Sequence, residues 1–98
     1  MLEKMIEQKL GEAVKAKRGM CLKQTGIKGI PDRMVLLHDG KIGFVEVKQK
    51  GKKPRVLQVF RMKQLELLGF KCFVLDDVEQ IGGIIDAIQS SWVSKIRD

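Results

Sequence analysis

GIPDRMVLLHDGKIGFVEVKQKGKK, residues 29–53 of a 98-residue chain, is the stretch whose reading decides the fold. Pro31 pushes Ile30 into an extended conformation, and Asp32 stands immediately before the apolar run Met34, Val35, Leu36 and Leu37, which reads as a strand. Asp39-Gly40 is the strongest local turn signal in the chain. Residues 42–47 then form a second strand, apolar on both faces apart from Glu46, as expected for a sheet covered on both sides. Gly51-Lys52-Lys53-Pro54 breaks the pattern.

Glu46 and Lys48 lie two apart on that strand, so both leave the same face, together with Ile42 and Phe44. Glu-x-Lys alone is weak, and Glu7-Gln8-Lys9 also matches it; on a helix, positions i and i+2 share no face, so position within the predicted elements decides between the two matches. Register then tests Asp32. A two-residue loop at Asp39-Gly40 would pair His38 with Lys41 and set Asp32 opposite Val47, facing away from Glu46. A three-residue loop pairing Leu37 with Lys41, with Gly40 left-handed in a G1 bulge, sets Asp32 opposite Glu46 and Met34 opposite Phe44. Two converging carboxylates, with a backbone oxygen at Val47 or water beside them, suit a hard divalent cation such as Mg²⁺. Lys48 beside the ion would orient or help deprotonate a water and offset charge on a phosphorane-like transition state. The rival reading is a same-face Glu46–Lys48 ion pair on an edge strand.

Working outward, residues 2–17 read as a helix with Leu2, Ile6, Leu10, Ala13 and Val14 on one stripe and Gly19 as its stop. Glu3 projects inside that stripe and Glu7 sits at its edge, so each needs a partner or a metal unless it reaches solvent. Residues 20–23 form a short strand, and residues 24–29 a basic loop. A helix over residues 55–68 has Val56, Leu57, Phe60, Leu67 and Leu68 as its inward stripe, with Gly69 capping it. Gln58 and Arg61 flank that stripe and point toward one cleft, where Gln58 would hold a water or phosphate. Residues 71–75 are a third long strand, Asp76-Asp77 caps a last helix over residues 78–94 that Gly82-Gly83 weakens, and Trp92 covers the core edge. The expectation is α/β, a mixed sheet flanked by helices in the order α-β-β-β-α-β-α. The crossover from Val47 to Lys71 makes the last strand parallel to the Glu46 strand.

Length limits the chain to one domain, residues 1–98, and the apolar fraction of 44% with 32% charged residues is that of a folded soluble protein. Residues 41–63 hold eight Lys/Arg and one acid, which equals the whole formal charge of +7. Such a surface attracts polyanions through counterion release, nucleic acid before membrane, since no basic amphipathic helix carries these lysines. Two cysteines and one histidine exclude a zinc cluster and a disulfide framework. No run is long enough to span a bilayer and no signal-peptide core is present, which points to the cytoplasm.

GIPDRMVLLHDGKIGFVEVK followed by Gln58 resembles the VRR-NUC branch of the PD-(D/E)xK nuclease superfamily, with its restriction-endonuclease-like fold. The Glu-x-x-x-Glu of the first helix and Leu-Gly-Phe before the last strand extend the resemblance over nearly the whole chain. It implies Mg²⁺ or Mn²⁺ on Asp32 and Glu46, Lys48 as the catalytic lysine, Gln58 in support, and a first-helix glutamate completing the shell. Glu3 and Glu7 both match, Glu7 being the better ordered position. Phosphate contacts fall to Lys28, Arg33, Lys50, Lys52, Lys53, Arg55 and Arg61. Stand-alone relatives resemble phage or bacterial Holliday-junction resolvases working as homodimers on branched DNA, with a contact near Phe70, Phe73 or Trp92. A nuclease for flaps, nicks or ends, and a non-catalytic basic binding module, are the alternatives.

Overall fold

The computed structural model describes residues 1–90. Helix α1 (Glu3–Ala16) precedes strands β1 (Met20–Lys23), β2 (Arg33–Leu37) and β3 (Lys41–Val47); helix α2 (Val56–Leu67), strand β4 (Lys71–Leu75) and helix α3 (Ile81–Gln89) follow, with single 3-10 turns at His38–Gly40 and Val78–Gln80. The sheet runs β1-β2-β3-β4, antiparallel through β3, with β4 parallel to β3 as its crossover length requires. The expected element order and mixed sheet are both observed.

Side chains alternate across the sheet, so the ladder sorts them onto two faces. Val35, Leu37, Val45, Val47 and Leu75 fall on one, where they pack against Ile6, Leu10 and Val14 of α1 and Ile81, Ile84, Ile85 and Ile88 of α3. Gly43 lies on this face because a Cβ there would stand 2.5 Å from Cδ1 of Ile88. The other face carries Met34, Phe44, Glu46 and Cys72 beneath α2. There Phe44 meets Phe70 edge-to-face at 5.6 Å, and the Cys72 thiol donates to the Met62 carbonyl at 3.6 Å.

Three details differ from the sequence reading. α1 ends through Arg18, which takes the left-handed conformation (φ 61°) assigned to a glycine stop. Gly19 serves close approach instead, since its Cβ would sit 2.5 Å from the Leu36 carbonyl oxygen. In α2 the expected inward stripe faces outward: Val56 and Leu67 are each 88% exposed, Leu68 73% and Phe60 52%, while Gln58 and Met62 are the buried pair. Apolar residues surround this helix, so its periodicity points weakly, and Leu57 covers Gly29 of the β1–β2 loop rather than the sheet. The last helix opens with a 3-10 turn capped by Asp77, whose Oδ1 accepts from Glu79 N–H at 3.0 Å. Gly69 caps α2 as expected, at φ 97°. Trp92 and residues 91–94 lie outside the described residues.

Candidate active site

The β2–β3 hairpin decides which acidic groups meet. Asp39 (φ 62°) and Gly40 (φ 70°) both adopt positive φ, the signature of a type I′ pair, and Lys41 N–H donates back to the His38 carbonyl. The ladder nevertheless pairs Leu37 with Lys41, which makes His38 an extra residue and the loop three residues long. The register is the one the converging-carboxylate reading requires; the second left-handed residue, Asp39, was not foreseen. Pairing ends at Arg33 with Val45, so the next step sets Asp32 against Glu46.

Asp32 is held from both sides. Its Oδ2 accepts Val47 N–H at 2.9 Å and its carbonyl accepts Gln24 N–H at 2.8 Å. The sequence reading gave Val47 a ligating oxygen and missed the N–H that orients Asp32. Glu46 is 1% exposed on an interior strand of the sheet, which removes the edge-strand ion pair as an account of it. Its Oε2 lies 3.4 Å from Lys48 Nζ, while Oε1 is buried and has no hydrogen-bond partner among the described residues. Burial first, and then the Asp32 charge, push the Glu46 carboxyl up to about 7 against the pull of Lys48. Lys48 is fixed through its backbone, donating to the Leu75 carbonyl at 2.8 Å.

Gln58 is 6% exposed, not the solvent-facing residue a helical surface position implies. Its Oε1 accepts Arg55 N–H at 2.8 Å, tying down the start of α2. What remains for a substrate is the amide NH₂, a pair of donors suited to a phosphate oxygen or the lone pair of a water.

Glu7 and Glu3 are not brought to this pair. Glu7 Oε2 binds Arg33 Nη2 at 3.3 Å, and alternation puts Arg33 on the α1 face, away from Asp32. Both glutamates line an open cavity of about 780 Å³ with Cys21, Lys23 and Arg33. Among the described residues no three His, Cys, Asp or Glu side chains converge on one point. The donors present still fit a hard cation: Asp32 keeps Oδ1 after Val47 takes Oδ2, and the orphaned Glu46 Oε1 is a buried oxygen in want of positive charge. Backbone, water and substrate phosphate would complete such a shell. Burial raises the thiols of Cys21 and Cys72, the latter to about 11, so neither is poised as a nucleophile.

The basic residues divide. Lys50 pairs with Asp77 at 3.1 Å, and Asp76 Oδ2 accepts Gly51 N–H at 3.3 Å, which pins the loop after β3 to the end of β4. Nothing local in the sequence marks that tie. Arg61 Nε donates to the Lys28 carbonyl and Nη1 to Gln64 Oε1, each at 2.9 Å, so Arg61 anchors the β1–β2 loop instead of reaching the carboxylates. The side chains of Lys28, Lys52, Lys53 and Arg55 are exposed.

No protein-family model matches the chain. It is similar to "Putative nuclease p44" of Acyrthosiphon pisum secondary endosymbiont phage 1, 38% identical over 88 residues that span 88% of this chain and 94% of that protein. A solved structure, a VRR_NUC domain, superposes with a TM-score of 0.78 at 28% identity, over 88% of this chain and 97% of that one.

Proposed function

This chain belongs to the VRR-NUC family of nucleases, and we propose that it is a divalent-metal-dependent endonuclease for branched DNA, acting as a homodimeric Holliday-junction resolvase. The observation that carries the reading is Glu46: a fully buried carboxylate beside Asp32, with one oxygen unpartnered and the other within reach of Lys48. Lys48 and the Asp32 backbone N–H offset only part of that burial, since the carboxyl is still raised to about 7.

Mg²⁺ or Mn²⁺ held by Asp32 Oδ1 and Glu46 Oε1 would supply Lewis-acid polarisation of a phosphoryl oxygen and a lowered pKa for a coordinated water. The chain's own groups do the rest. Val47 N–H keeps Asp32 aimed; the Lys48 ammonium stabilises charge gathering on the phosphoryl oxygens and orients the attacking water; Gln58 offers NH₂ donors to phosphate. Lys28, Lys52, Lys53 and Arg55 neutralise neighbouring phosphates, contacts that position DNA without reading its sequence. Selectivity then rests on DNA shape, and a two-fold pair of sites suits the symmetry of a four-way junction. Such an enzyme works in the cytoplasm of a bacterial or phage-infected cell.

The test compares wild type with Lys48→Ala on four-way junction, flap, nicked and linear duplex DNA in Mg²⁺, in Mn²⁺ and in EDTA. Symmetric paired incisions of the junction are expected, with cutting reduced about 10³-fold by the substitution and binding retained. Cutting of flaps or ends in preference to junctions would replace the substrate assignment, and binding without cutting in either metal would remove the enzyme.

A further inference from the structure

The outer side of α2 is apolar where a lone surface helix is expected to be polar. At 100° per residue Val56, Phe60, Lys63 and Leu67 fall within an arc of about 60°, opposite the buried Gln58 and Met62. Leu57, Val59 and Leu68 flank them and are also exposed. Together these six apolar side chains leave on the order of 700 Å² uncovered, above the largest patch of an ordinary monomer and close to the roughly 800 Å² per partner of a standard interface.

We infer that this face of α2 is the contact between two copies of the chain, with the two α2 helices antiparallel about a two-fold axis. The pattern is self-complementary, as an isologous contact demands. Val56 and Leu67 are equidistant from the point midway between Phe60 and Lys63, so an antiparallel pair sets each Val56 on Leu67 of the partner subunit and each Phe60 ring under the ammonium of Lys63 of the partner subunit. DNA is a poor occupant for an apolar stripe, and the exposed Lys52, Lys53 and Arg55 lie before it, at the start of the helix. The same helix carries Gln58 on its inner side, so pairing through α2 links the two sites through one rigid element. The inference deepens the homodimer part of the reading above and depends on that reading only for what the dimer does.

Light scattering on the full chain in EDTA reads it without nuclease chemistry. Wild type is expected at about 22 kDa, twice the 11.1 kDa of one chain. Leu67→Glu and Val56→Lys, both at solvent-exposed positions, are expected near one chain mass with unchanged circular dichroism. Oxidising a mixture of Val56→Cys and Leu67→Cys proteins should give a cross-linked pair at least tenfold more readily than either alone, with wild type as control for Cys21 and Cys72. A wild type that is monomeric, whether residues 91–98 or another protein covers the stripe, overturns the inference. A dimer that survives both charge substitutions overturns the surface. On junction DNA, Leu67→Glu should turn paired incisions into single nicks. A dimer that never cuts removes the nuclease reading and leaves the surface intact; a cutting monomer does the reverse.

Discussion

Replacing Glu46 with glutamine should stabilise the metal-free protein, by an amount set by pH. The carboxyl is 1% exposed and titrates near 7, against 4.5 for an ordinary glutamate. A carboxylic acid with a folded pKa above its unfolded one binds its proton more tightly when folded. Between those two values the native state therefore holds more proton than the unfolded chain, and stability falls as pH rises through the window. Above the folded pKa the penalty is complete, and a gap of that size corresponds to about 3 kcal/mol. Glutamine cannot ionise and keeps nearly the same shape. It also leaves Lys48 without its carboxylate, a loss already contained in the folded pKa because the pull of Lys48 is one of its causes. The gain is therefore about 3 kcal/mol at pH 8, or roughly 15 °C in Tm for a domain of this size, shrinking toward nothing near pH 4.5.

Thermal melts followed by circular dichroism in EDTA at pH 4.5, 6 and 8 give the three points needed. Adding Mg²⁺ at pH 8 should then raise the Tm of wild type and leave Glu46→Gln where it was, because an ion that binds only the native state stabilises by mass action. Two results refute the reasoning. A variant less stable than wild type at pH 8 means the carboxylate has a stabilising partner other than a metal, and a difference that does not change between pH 4.5 and 8 means Glu46 titrates as a solvated group.

Deleting His38 leaves Leu37 and Lys41 flanking a two-residue Asp39-Gly40 loop, so their pairing and the opposition of Asp32 to Glu46 should persist; cleavage and metal-induced stabilisation should both survive, and loss of either would mean that the register depends on the third loop residue. Gln58→Ala removes the acceptor for Arg55 N–H and should lower stability by about 1 kcal/mol, seen as a drop of about 5 °C in Tm. Its kinetic effect should appear in kcat as well as KM. The double substitution Lys52→Ala/Lys53→Ala should reduce the slope of log affinity against log salt by about 2 on duplex DNA, whereas Lys50→Ala, already paired with Asp77, should change it less.

What was legible in the sequence is what local pattern controls. Short apolar strand runs bounded by turn signals, the Asp-Gly turn, the Pro31-Asp32 step and the glycine after α2 are set within a few residues, and the structure has each where the sequence puts it. The register of Leu37 with Lys41 was reached by combining turn geometry with the requirement that Asp32 meet Glu46, and the ladder has it. Apart from the left-handed Arg18 and Asp39, which are local, the failures are non-local. Glu7 finds Arg33, and Lys50 finds Asp77, across distances no spacing encodes. The α2 stripe was assigned inward because an apolar stripe usually is, and a helix that turns such a stripe to solvent breaks the assumption on which periodicity rests.

The two faces of the sheet explain why the chain can hold a destabilising group at its centre. One face is closed by α1 and α3 over twelve buried apolar residues, a core that owes nothing to Glu46. Among the described residues the other is covered by α2, whose buried contributions are Met62 and a glutamine, and by Phe70 beyond its end. A penalty of about 3 kcal/mol is a large part of a small domain's net stability, so it survives only where the opposite face supplies a margin and where an ion or phosphate reverses it in use. By the same logic α2 should be the element most responsive to binding. Its inner side ends at the carboxylates, and its outer side is the exposed apolar face proposed to meet a second copy, so hydrogen exchange in α2 should slow more on dimerisation and on metal addition than exchange in α1 or α3. Equal slowing in all three helices would mean that the faces are not energetically separate.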